Sequence, residues 1–255
     1  MRKKFWLAAA ILGLLIVSAG CSNYYNTPIK STTPGVWSHY IVYPLSWFLQ
    51  EIAHIFGGSY GLSIVISTIL IRVALLPLMI KQTKSSKAMQ DIQPEVKKLK
   101  EKYSSKDQQT QKKLQEETMK LFQKNNVNPM AGCFPIVIQM PILIAYYQAI
   151  RKTPEIAHHT FLWFSLGHPD HILPIIAAVF TFIQQKLMMG RMGNSNPQMA
   201  VMTYVMPIMI AFIGFSLPSA LALYWVVGNL FMIGQIFIIY KPSEIKSSQM
   251  GGSKK

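Results

Sequence analysis

Residues 60–80 read Tyr-Gly-Leu-Ser-Ile-Val-Ile-Ser-Thr-Ile-Leu-Ile-Arg-Val-Ala-Leu-Leu-Pro-Leu-Met-Ile, an apolar run of bilayer length whose one charge is Arg72. Crossing a hydrocarbon core takes about 20 residues of helix, so this stretch by itself points to a membrane protein. Arg72 lies nine residues before Lys81, about 13 Å along a helix, beyond the easy reach of one side chain. Arginine keeps its charge where lysine can lose it. Placing it in lipid costs at least ~2.5–3.5 kcal/mol on the lenient insertion scale. Arg72 is therefore expected to face protein or water, unless the span boundary is displaced and the residue stands at its edge.

Working outward, four more stretches are apolar over bilayer length: 131–150, 171–189, 199–217 and 220–240. The third is the weakest, ending in Gln184, Gln185 and Lys186. Only Pro218-Ser219 separates the last two, which must form a tight antiparallel pair. None of the five stretches contains Asp or Glu, so Arg72 has no ion-pair partner inside the membrane. Carbonyls and water are its remaining hosts. Gln139 shares a face with Leu143 and Tyr146; Thr181 and Gln184 lie a turn apart; Trp225, Asn229 and Met232 share a face, with Gln235 beyond. If these faces converge, they make a watered groove around one fixed positive charge. Singly, each Gln or Asn is more often interhelical glue worth about 0.6 kcal/mol, and only Arg72 rises above that reading alone.

The charge pattern sets the orientation. The chain of 255 residues carries 25 Lys+Arg against 10 Asp+Glu, a net +15 with only 14% charged residues; soluble proteins average about 25%. Residues 81–130 hold twelve lysines and six acids, 186–200 add Lys186 and Arg191, and 241–255 net +3. Segments 21–59 and 151–170 each balance to zero. Alternate loops are positive, as the positive-inside rule requires for five spans with the N-terminus outside and the C-terminus cytoplasmic. The same pattern removes the case for nucleic-acid binding.

Residues 1–20 have a signal-peptide layout: Arg2-Lys3-Lys4, an apolar run over 5–17, then Ser18-Ala19-Gly20 before Cys21. Small residues before a cysteine resemble a bacterial lipobox, implying cleavage and lipid on the Cys21 sulfur; the alternative is an uncleaved anchor with a bystander cysteine. In the segment 21–59, Leu45, Phe48, Leu49, Ile52, Ile55 and Phe56 recur at helical spacing, which predicts an amphipathic helix over 45–56 lying on the outer membrane surface. In the loop 81–130, Met89, Ile92, Val96, Leu99 and Tyr103 form a narrow stripe suited to one partner helix. Pro94 kinks or restarts that arm, and Asp107 can cap a second one bearing Leu114, Met119, Leu121 and Phe122. The expectation is a cytoplasmic helical hairpin, against a disordered basic loop.

No catalytic set is present. His158 and His159 have no cysteine nearby, and HExxH, GxSxG and phosphate-loop patterns are missing. The two cysteines are too few for a zinc site of their own. The expectation is a non-enzyme without cofactor or metal. The fifteen methionines crowd towards the cytoplasmic ends and loops, which suits varied apolar clients as well as ordinary core filling.

Asn128-Pro129-Met130-Ala131-Gly132-Cys133-Phe134-Pro135, running into Ile138-Gln139-Met140-Pro141-Ile142, resembles the start of the second span in YidC/Oxa/Alb membrane protein insertases. With Arg72, the basic loop 81–130 and the lipobox-led five-span layout, the chain is similar to the short Gram-positive, SpoIIIJ-type members. The resemblance implies an all-α core of five spans over 60–240, with a groove open to cytosol and lipid and closed outside. It places Arg72, Gln139, Gln184 and Trp225 at that groove. It implies nascent membrane proteins and the bilayer as partners, in a bacterial plasma membrane, with the ribosome and the Sec translocon as further candidates. The large extracytoplasmic β-domain of Gram-negative members is missing. Two rival functions predict different behaviour: an anion channel or transporter selecting by Arg72, and a structural lipoprotein scaffold.

Overall fold

The computed structural model describes residues 28–105, 107–127, 134–192 and 197–239. Cys21 with segment 1–20, positions 128–133 of the motif and the tail 241–255 lie outside the described residues.

A π-helical turn, Ser38–Val42, leads into helix α1, Tyr43–Ile55. One face of this helix packs on protein and the other stays open. Leu49, Ile52 and Ala53 are buried in protein, while Trp47, Ile55 and Phe56 are exposed. Helical spacing identifies an apolar stripe but does not say whether lipid or protein covers it. Small polar side chains bring the covering protein close: Ser46 and Thr153 hydroxyls lie 2.6 Å apart, and Ser63 donates to the Leu49 carbonyl at 2.7 Å.

Helix α2, Tyr60–Asp91, runs through the expected 80/81 boundary for 32 residues, about 48 Å at 1.5 Å per residue. Pro77 sits inside it without ending it. The break comes at Ile92, and Pro94 opens helix α3, Gln93–Lys102, in the first turn, where a missing N–H costs no helical bond. Helix α4, Gln108–Lys124, begins at Asp107, whose carboxylate accepts from the Thr110 amide at 2.8 Å. Ile92 and Val96 of the predicted stripe are buried; Met119 of the second arm is exposed. A cleft of about 470 Å³ lies between α3 and α4, lined by Leu99 and Leu121, by Glu95 and Glu117, and by Lys98, Lys102, Lys120 and Lys124.

The bonds from Ser105 and Thr110 hold the Asp107 carboxyl well below the usual carboxylate range. A depressed folded-state value means the cap is present above the ordinary Asp range and is lost only as pH falls through the lowered one. Amide exchange at Thr110 should therefore stay protected at pH 4, and Asp107→Ala should quicken it there.

Helix α5, Phe134–Lys152, contains Pro141 and is followed by the short α6, Pro154–Ala157. Strands β1, Thr160–Phe161, and β2, Phe164–Ser165, form a minimal antiparallel pair. Helices α7, Leu173–Met192, α8, Pro197–Gly214, and α9, Ser219–Ile239, complete the described chain. Asp170 starts α7 by accepting from the Ile172 and Leu173 amides at 2.9 and 2.6 Å. Helices α2, α5, α7, α8 and α9 fall on the five apolar stretches, their ends shifted by a few residues except for the extension of α2. By length and composition, 60–85, 173–190 and 219–238 suffice to cross a membrane, and 203–214 is a shorter apolar helix.

The core is lopsided. In α2 the buried side chains Ser63, Ile64, Ser67 and Thr68 all precede Arg72; in α5 the buried positions, Ala145 to Lys152, all follow Gln139. In α7 they end at Thr181, and in α9 they run from Ser219 to Tyr224, with Gly228 and Ile236 further along. At that packed end the loops close over the bundle. Trp37 donates to Gln148 at 3.1 Å, Ile29 N–H to the Lys152 carbonyl at 3.0 Å, and Ser219 and Ala220 amides to the His168 and Leu166 carbonyls at 2.9 and 3.1 Å. A Cβ at Gly61 would overlap the Phe161 ring, so that glycine lets the β-hairpin sit down on α2.

Candidate functional site

Arg72 stands where tight packing stops. The side chain leaves α2 one turn beyond Thr68, which is buried and donates to the Ile64 carbonyl at 2.6 Å. It is half-buried, and α5 and α9 supply its surroundings. Nη2 donates to Gln139 Oε1 at 3.4 Å, and Nη1 approaches the Met232 sulfur at 3.7 Å. The guanidinium carbon lies 6.0 Å from the centre of the Tyr224 ring, a cation–π arrangement worth about 0.5–2 kcal/mol depending on desolvation.

These hosts are oriented from behind. The Gln139 amide nitrogen is 2.6 Å from the Tyr224 hydroxyl, which leaves its oxygen for Arg72. The Tyr224 ring packs at 4.7 Å on Tyr146, whose hydroxyl is 2.8 Å from Ser67 Oγ. Both tyrosines are fully buried. Among the described residues no carboxylate pairs with Arg72. An amide, a thioether and an aromatic face hold the cation in place without neutralising it, and a guanidinium offers five N–H donors, more than these hosts use.

Of the expected groove residues, the structure brings Gln139 to Arg72. Gln184 is half-buried one turn beyond Thr181, and Trp225 packs against the capped core; among the described residues neither hydrogen-bonds to Arg72. Asn229 donates to Thr181 at 2.7 Å and ties α9 to α7. Asn229→Ala should cost about 0.6 kcal/mol, the average for such bonds in membranes, readable as a small loss of thermal stability in detergent. Sequence reasoning passed over Tyr224 and Gly228. A buried tyrosine needs a partner for its hydroxyl, and Tyr224 lies one helical turn before Gly228, a pair that could have marked this face.

These features define a class: a multi-pass helical membrane protein, capped at one end, with an arginine held inside the bundle by neutral groups. The family model described as 60Kd inner membrane protein matches residues 51–247. The chain is 58% identical to "Membrane protein insertase YidC 2" of Bacillus anthracis over the full length of both, and 55% identical to "Membrane protein insertase MisCA" of Bacillus subtilis strain 168, covering 100% of this chain and 99% of that one. A solved structure, "Active YidC insertase crystal structure with the first transmembrane domain resolved", superposes with a TM-score of 0.64 at 28% identity, over 81% of this chain and 48% of that one. The chain belongs to the YidC/Oxa/Alb family of membrane protein insertases, in its short Gram-positive form.

Proposed function

We propose that this insertase moves short polar client tails across the membrane through a groove centred on Arg72. The five apolar helices α2, α5, α7, α8 and α9 all span, the capped end faces outward, and α3–α4 with the tail 241–255 lie in the cytoplasm. Lipid on Cys21 would anchor the outer N-terminus. A client segment enters from the cytoplasm or the lipid side, and its acidic tail is drawn to Arg72 in a setting of low dielectric. Gln139, Gln184 and Trp225 line the route. The client's apolar part then passes into lipid, driven by its own transfer free energy of roughly 25 cal/mol per Å². The lysines of α3 and α4 meet anionic headgroups or the ribosome, and the Sec translocon is a further partner.

The observation that carries this reading is a charge held by Gln139, Met232 and Tyr224 without a carboxylate, at the level where packing ends. An arginine left unneutralised can bind a client acid and release it. The anion-channel reading needs a path open at both ends, and the packed, hydrogen-bonded cap argues against one. Vesicles containing only this protein separate the two readings. Protease-protected insertion of a single-span client with an acidic tail, without chloride flux, is the expected result; flux without insertion would overturn it.

A further inference from the structure

We propose that Gly228 is the positioning residue of the site: its missing side chain is the space in which the Arg72 guanidinium lies. A Cβ built at Gly228 would stand 2.7 Å from Arg72 Nη2 and 3.4 Å from both Cζ and Nε. The approach to Nη2 is a clash and those to Cζ and Nε are already at contact distance, so the end of the arginine side chain has to move aside. Gly228 is buried and lies in the middle of α9, one turn after Tyr224 and one turn before Met232. All three positions meet the same guanidinium: Tyr224 by its ring, Met232 by its sulfur, Gly228 by leaving room.

The glycine has no other evident purpose here. It sits in regular helix, where alanine is the better helix former, and its φ is not in the left-handed region, which among the described glycines holds Gly35, Gly57 and Gly58. A methyl group at 228 should leave α9 helical while pushing the guanidinium off α9 and away from Gln139. The charge is kept and its place is lost. Gly228 therefore acts through Arg72, setting how deep in the bundle the positive charge is presented to a client.

This inference rests on the client-binding role proposed for Arg72, so the test has one arm that does not use clients. In vesicles, Gly228→Ala should lower insertion of an acidic-tailed single-span client roughly tenfold, the size expected for losing one charge-assisted hydrogen bond. In an Arg72→Ala background the same change should add less than about twofold, because the group it displaces is already gone. In an Arg72→Lys background, whose slimmer ammonium clears a methyl group, it should likewise cost little. Independently, nitrogen-15 NMR of the arginine side chains, of which the chain has only four, should show the Arg72 signal displaced in Gly228→Ala. Losses that multiply in the Arg72→Ala background, or an unmoved Arg72 signal, would overturn the proposal. A displaced signal with Arg72→Ala inserting clients normally would retain Gly228 as the positioning residue and sink the client-binding reading instead.

Discussion

Arg72→Ala should reduce insertion of a client with an acidic tail by tenfold to more than a hundredfold. The range follows from the roughly 1.5–3 kcal/mol that a hydrogen bond to a charged group contributes, and it should grow with the number of tail carboxylates. Lysine at the same place should restore part of the activity. It returns the charge, but as a point donor that cannot contact Gln139 and a carboxylate with one planar fork. A client whose tail acids are replaced by amides should be much less sensitive to the change. Protease protection in proteoliposomes, scored for both clients with all three proteins, measures it. Equal insertion of the acidic client by wild type and Arg72→Ala would end the electrostatic account.

Tyr146→Ala should be the most destabilising single change among the described residues of the capped half. The side chain is fully buried, packs at 4.7 Å on the Tyr224 ring and meets Ser67 at 2.8 Å. Truncating a buried large aromatic typically costs about 3–5 kcal/mol. Here it also removes the support of the tyrosine that orients Gln139. Tyr146→Phe should cost only about 1 kcal/mol, since Ser67 can still donate to the Ile64 carbonyl at 3.1 Å. Thermal unfolding in detergent should rank wild type, Phe and Ala in that order with a wide gap before Ala. A Phe variant as unstable as the Ala variant would mean that the hydroxyl bond, not the packing, holds this layer.

Much of this architecture is legible from residue order. Apolar length finds the five long helices, and a mid-span arginine without an acid in any span singles out Arg72 by sequence alone. Pro94 and Asp107 mark the start of α3 and α4 because their constraints are local: a missing N–H and a side-chain acceptor for an exposed amide. What is not legible is rotation. Helix α9 is apolar nearly all round, so neighbouring residues compete for the inward direction, and nothing local prefers Tyr224 over Trp225. That choice depends on how α9 packs against α2 and α5, which is a property of the assembled bundle. The same limit applies to α1, where Leu49 and Ile52 face protein and Ile55 and Phe56 do not. Continuation of α2 past Lys81 was hidden for a different reason: polarity marks where lipid ends, whereas a helix ends only where its backbone is interrupted, at Ile92.

The lopsided core also bears on voltage. In the orientation proposed above, with water reaching Arg72 from the cytoplasm, that half of the bundle conducts, and the membrane potential falls across the capped half alone. Tyr60 to Arg72 is twelve residues, about 18 Å of helix, against about 30 Å of hydrocarbon. The field in that layer is then steeper by a factor of roughly 1.7 than in the surrounding bilayer. In a cell negative inside, each client carboxylate moving outward across it gains about 2.3 kcal/mol per 100 mV. A plug at one end would thus act as a lens that concentrates the cell's electrical driving force on the last stretch of the client's path.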